Sequence, residues 1–161
     1  MEAAAPPIYS PRAPRVRVGI FGRTLALLTA LLCLAPLVAA AWVTPDPSGL
    51  GTHTQLGLAA CGFQRAFGIP CPTCGMTTSW AWFARGNWLA SAWIQPMGML
   101  LAFIAASIFW AGMYIAATGR AAHHLLRYVP SGYIIQPMLA LALLAWGWKI
   151  FIHLDHLDGW K

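Results

Sequence analysis

Charge is what this chain has least of. Only 9% of its 161 residues are Asp, Glu, Lys or Arg, and acidic residues number 4. A water-soluble domain usually carries about 25% charged residues, so this composition cannot cover a surface that faces water. Between Glu2 and Asp155 the only acidic residue is Asp46, which leaves general acid–base chemistry few candidates. No G-x-S-x-G, H-E-x-x-H or P-loop pattern occurs, which argues against the common hydrolase and nucleotide-binding chemistries. No internal repeat or low-complexity array is present. No basic groove motif accompanies the net charge of +6, so nucleic acid is not the expected partner.

What the chain does have is apolar length. Three stretches, Thr24 to Val43, Met97 to Thr118 and Tyr133 to Ile152, each run about 20 residues, the length that crosses a hydrocarbon core of roughly 30 Å as a helix. None contains Asp or Glu, and Lys149 is the single charge among them. Its position near the end of the third stretch suits a side chain that snorkels to the interface. Backbone amides in lipid must bond within their own segment, so these stretches are expected to be helices, the first bent at Pro36. The expected fold is an all-α integral membrane protein with three transmembrane helices (spans 24–43, 97–118 and 133–152). The lipid bilayer is its first partner. Residues 1–23 read as a disordered basic tail, and 24–161 as one membrane domain. The first stretch has a second reading as a signal peptide cleaved near Ala39-Ala40-Ala41.

The basic residues give an orientation. Arg12, Arg15, Arg17 and Arg23 precede or open the first span, and Arg120 and Arg127 lie in the short second loop around His123 and His124. The loop 44–96 is much longer and holds only Arg65 and Arg85. Positive-inside bias places the N-terminus in the cytoplasm of a bacterial inner membrane, and loop 44–96 with the C-terminal tail outside.

That outer loop carries the chemistry. Cys71-Pro72-Thr73-Cys74-Gly75 holds two thiols at a spacing that suits a disulfide, a soft metal or a redox dithiol. No βαβ pattern surrounds it, so a thioredoxin-like reading is poor. A helix is expected from Pro72 or Thr73 to Gly86, which would put Cys71 near its positive end and favour thiolate there. A short interfacial helix is expected within Leu56 to Phe67. Another runs from Trp88 to Gln95 behind Asn87 as N-cap, with Pro96 opening the second span. Trp80, Trp82, Phe83, Trp88 and Trp93 read as an interfacial aromatic belt. Arg65 and Arg85 are expected to contact lipid phosphate or to cap short helices, Arg85 at the negative end of the motif helix. Thr77 and Thr78 bond back to helix carbonyls or line a small polar pocket beside the thiols.

Cys61 lies on the same membrane face as Cys71 and Cys74. Three thiols suit zinc or an iron centre, and a closed tetrahedral site needs a fourth ligand. His53 is a donor in the same loop. His153 and His156, three apart beyond the third span with Asp155 and Asp158 beside them, are the other candidates. Cys33 reads as a packing residue in the first span. Three classes of function stay open: a structural or accessory membrane protein; a metal or cofactor site on Cys61, Cys71 and Cys74; and a membrane-face thiol–disulfide oxidoreductase using Cys71 and Cys74. A three-helix bundle also leaves room for self-association or a larger membrane-protein partner.

Several separated elements then agree in order: Cys61-Gly62-Phe63; Pro70-Cys71-Pro72-Thr73-Cys74-Gly75-Met76-Thr77; Ala84-Arg85-Gly86-Asn87; and Gln95-Pro96-Met97-Gly98. Together they resemble the bacterial membrane-protein family catalogued as domain of unknown function 2752, whose pattern is C-P-x-C-G-x-T with an A-R-G-D-like segment and N-P-x-G before a span. The resemblance implies a helical membrane protein and brings no activity with it. Thr78 stands where the family usually has Arg, and Asn87 where Asp is frequent.

Overall fold

The computed structural model describes residues 17–120 and 132–160, with no side chain described for 132–134. The expected tail over residues 1–16 and the His123–His124 loop lie outside the described residues. Among the described residues all regular structure is helical apart from an isolated antiparallel bridge between Arg17 and Arg120. Three long helices, α1 (Ile20–Trp42), α5 (Pro96–Thr118) and α6 (Gly132–Leu154), correspond to the three apolar stretches. At 23 residues each they are about 34 Å long, enough for a bilayer core. α1 starts at Ile20 rather than Thr24, because Phe21 and its neighbours extend the apolar run. Pro36 lies inside α1 and Pro137 inside α6.

The outward faces are bare of polar cover. Phe21 is 80% exposed and Leu32 75%, with Leu139, Leu143 and Leu144 also open. Such a surface is stable against lipid and not against water.

α1 and α5 pack antiparallel through small residues. A Cβ on Gly112 would stand 2.7 Å from the Ala26 carbonyl oxygen and 2.9 Å from the Ala30 Cβ. Glycine there lets the two backbones close, which is how helices gain contact when lipid offers no hydrophobic drive between them. Arginines cap both ends of this pair. Arg23 donates from Nε to the Ala116 carbonyl at 2.8 Å and from Nη2 to Ala117 at 3.3 Å, covering the C-terminus of α5. Arg85 donates from Nη2 to Val43 at 2.8 Å and from Nη1 to Ala81 at 2.9 Å. It closes the free carbonyls of α1 and those of α3 (Met76–Ala84) together. A cation is stabilised at such a negative helix end. Arg85 is therefore a cap, and one that ties the loop to the first span.

Loop 44–95 folds into a cap over one end of the bundle. It contains a 3₁₀ turn (Thr52–Leu56), α2 (Gly62–Phe67), α3 and α4 (Trp88–Ile94). Asn87 accepts from the Ala90 amide at 3.0 Å, the expected N-cap of α4. Ser79 joins α3 to α4 and α5, with its hydroxyl within 2.9 Å of both the Ser91 carbonyl and the Ser91 Oγ, and 3.1 Å from the Gln95 carbonyl.

α6 meets this cap through tryptophans. Trp148 donates to the Trp93 carbonyl at 2.8 Å, and Trp93 donates to Leu157 at 3.1 Å. Their rings meet edge-on with centroids 5.1 Å apart. Trp93 thus serves internal packing, whereas Trp88 stays exposed. Lys149 does not snorkel. It is fully buried, with Nζ 2.9 Å from Asp158 Oδ1. The contact is an ion pair without hydrogen-bond alignment, since both atoms lack a well-directed hydrogen bond. The chain turns back after α6, so the ammonium finds a carboxylate within the protein before it reaches solvent.

Candidate metal centre

The Cys71–Gly75 segment is a run of turns. The Cys74 amide bonds the Cys71 carbonyl at 3.0 Å and the Met76 amide bonds Thr73 at 3.1 Å. Gly75 then takes φ 82°, a left-handed conformation that costs other residues about 1–2 kcal/mol. A Cβ there would also press on the Gly49 carbonyl oxygen at 3.0 Å and on Lys149 Cε at 3.3 Å. This reversal stops the helix from extending backwards, so α3 begins at Met76 and not at Pro72 or Thr73. Cys71 accordingly stands outside the helix, in the turn before it.

The prolines around Cys71 are anchored from two directions. The Pro70 carbonyl accepts from Trp146 Nε1 of α6 at 3.0 Å. The Pro72 carbonyl accepts from the side-chain Nε2 of Gln95, just before α5, at 2.8 Å. The thiol between them is held by two separate parts of the bundle.

Cys61 arrives from the start of α2, where it is the N-cap residue. The Sγ atoms of Cys61, Cys71 and Cys74 all lie within 4.8 Å of one another, and those of Cys71 and Cys74 are 3.2 Å apart. The cysteines are free thiols. Zinc bound by thiolates at ~2.3 Å in a tetrahedron sets its sulfurs about 3.8 Å apart. The cluster already has that scale.

The thiols differ in acidity. The Gln64 backbone amide at the start of α2 favours the thiolate of Cys61 and outweighs its desolvation, so its pKa falls to about 7. No side-chain hydrogen bond of regular geometry caps α2, so the Gln64 amide acts as a nearby dipole. Burial pushes Cys74 up to about 12, and hydrogen bonds with Cys71 and Cys61 add to the rise.

A cavity of about 320 Å³ opens beside the sulfurs, with His53, Thr77 and Thr78 in its wall. Thr78 is buried, and its Oγ1 lies 2.7 Å from Thr52 Oγ1. Thr52 in turn accepts from the Asp46 amide at 2.9 Å. Thr78 thus ties α3 to the turn that carries His53. The Nε2 of His53 lies 3.1 Å from the Ala59 carbonyl.

His153 and His156 are placed elsewhere. Nδ1 of His153 contacts Asp158 Oδ2, in the same cluster as Lys149. α6 ends at Leu154, and His156 adopts φ 56° beyond it. The pair shares no helical face, and among the described residues neither joins the sulfur group. Asp158 was the partner that sequence reasoning missed. Its signal was Lys149, a cation in an apolar stretch that needs a nearby anion.

No curated protein and no solved structure matches the chain. Residues 61–109, which contain all three clustered cysteines, α3, α4 and the first part of α5, match the family described as protein of unknown function (DUF2752).

Proposed function

We propose that this is an accessory membrane protein whose outer cap is stapled by a soft or borderline metal ion, zinc foremost, on Cys61, Cys71 and Cys74. One observation carries the reading: three sulfurs from two separate segments meet within 4.8 Å. Thiolates select zinc, copper(I) and iron–sulfur centres over hard cations. A metal there would join α2 to the turn before α3, where the loop otherwise has little to hold it. The proton that burial keeps on Cys74 is released on loading, as thiol sites require.

The direct test is metal analysis of protein purified in detergent without chelator. One equivalent of zinc or copper is expected, lost in Cys71→Ser and Cys74→Ser. Metal-free protein with those thiols intact would sink the reading.

Thiol–disulfide exchange is the second reading, favoured by the 3.2 Å approach of Cys71 and Cys74. Cys71 would attack a disulfide of the substrate and form a mixed disulfide. Cys74 would then resolve it, leaving Cys71–Cys74 oxidised and the substrate as two thiols. A pair whose redox state never changes with growth conditions excludes it.

The orientation belongs to the same proposal. The N-terminus and the Arg120 end face the cytoplasm of a bacterial inner membrane, and the cysteines face outward. The positive-inside bias supports this. A membrane-impermeant maleimide is expected to label Cys61 in intact spheroplasts after metal removal. Labelling solely from the cytoplasmic side would reverse it. Self-association or docking to a larger membrane protein fits the small bundle and its open apolar faces.

A further inference from the structure

We infer that His53 is the fourth ligand, which makes the centre a closed Cys₃His zinc site. The inference rests on the three-thiol reading above and specifies its chemistry.

His53 shares the cavity with the three cysteines. Its Nε2 lies 3.1 Å from the Ala59 carbonyl oxygen. A carbonyl oxygen only accepts, so Nε2 is the donor in this contact, and in the neutral ring that leaves Nδ1 as the nitrogen with a lone pair for a metal. That is the arrangement of a ligating histidine, whose outer nitrogen donates to a backbone carbonyl and so fixes tautomer and ring orientation. The carbonyl belongs to Ala59, two residues before Cys61, so the strand of chain that brings the first thiol also orients the imidazole.

The turn itself is secured. Thr52 bonds Thr78 on α3, and the Gln55 side-chain amide bonds the Thr44 backbone at both ends, Nε2 donating to the carbonyl at 2.7 Å and Oε1 accepting from the N–H at 3.0 Å. These contacts fix the residues on either side of His53. The ring stands at the cavity wall, outside the 4.8 Å sulfur group, so ligation requires it to approach the sulfurs. Competing donors are poorer. His153 is taken by Asp158, and the remaining wall offers threonine hydroxyls and the Met76 thioether. Charge points the same way. Zinc with three thiolates and a neutral imidazole carries −1, whereas a fourth thiolate would give −2 in a half-buried site, where unpaired charge is costly.

Cobalt(II) titration of the full chain in detergent, without oxygen, tests this. The wild type is expected to give tetrahedral d–d absorption with three-thiolate charge-transfer intensity at one equivalent. His53→Ala is expected to weaken cobalt binding by at least roughly 10–100-fold, since even outer-shell losses cost that much. His53→Cys is expected to restore binding with a four-thiolate spectrum. Zinc X-ray absorption should show imidazole outer-shell scattering in the wild type and none in His53→Cys. Should His53→Ala fail to fold, this last pair of measurements decides alone. Unchanged cobalt affinity and spectrum in His53→Ala, or no imidazole scattering in the wild type, overturns the role of His53. In either case the three-thiol reading stands if Cys71→Ser still abolishes binding. Wild type that takes up no cobalt or zinc overturns both.

Discussion

Cys61 and Cys74 belong to one cluster yet are set to opposite ends of the thiol range, about 7 and about 12. In metal-free protein this makes an order of reactivity. The thiolate is the nucleophile, so Cys61 alkylation by iodoacetamide should rise through pH 7 and level off above about pH 8. Cys74 should stay protonated and slow across that range. Mass mapping of the alkylated sites at pH 6, 7 and 8 checks this, and equal labelling of both would contradict it. Lys149 and Asp158 give a second residue-scale prediction. Removing one partner of a buried ion pair leaves an uncompensated charge, at a cost of about 3–5 kcal/mol. Asp158→Asn should therefore lower the melting temperature in detergent markedly, and the double variant with Lys149→Met should recover much of the loss. A double variant as unstable as the sum of both singles would show that the pair is not the unit.

At the scale of elements, two glycines do different jobs. Gly75 sets where α3 begins and so where Cys74 points. Gly75→Ala meets both a left-handed φ and the Gly49 carbonyl at 3.0 Å. It should cost about 1–2 kcal/mol and disrupt metal uptake. Gly112 instead sets the distance between α1 and α5. Gly112→Val should destabilise the bundle by roughly 1–3 kcal/mol through overpacking, and metal stoichiometry should stay unchanged. Thermal melts run beside metal analysis separate the two, and a metal defect in Gly112→Val would merge them. The helices α4, α5 and α6 were legible because their signals are local: Asn87 as a cap, Pro96 at a helix start, long apolar runs. The start of α3 was not. Pro72 is a good opening residue by local rules, but the left-handed turn at Gly75, packed against Gly49 and Lys149, overrides it.

For the whole molecule, the apolar faces of α1 and α6 demand lipid. The untagged protein is expected to sediment with membranes and to need detergent for release; recovery in the soluble fraction as a dispersed species would contradict the architecture. The same long-range packing makes α1 part of the fold. Ala30 is fully buried on Gly112, and Arg85 closes the end of α1. Intact-mass analysis of the membrane form should accordingly still find α1 attached. A mature chain beginning after Ala41 would show that the bundle stands without it.

The amino-acid sequence by itself determined the solvent of this protein, the number and place of its spans, the basic bias of its segments, and the presence of a Cys-x-x-Cys pair in the loop between the first two spans. Preference for lipid is a sum over residues, and charge bias is a count, so neither needs the chain's path. The tertiary structure decided which groups meet. It brought Cys61 to Cys71 and Cys74, drew His153 to Asp158 and away from the sulfurs, buried Lys149, and turned Arg85 onto the end of α1. Each of these joins residues distant in the chain or across a turn. Such contacts depend on backbone reversals and close packing that no single stretch of sequence encodes.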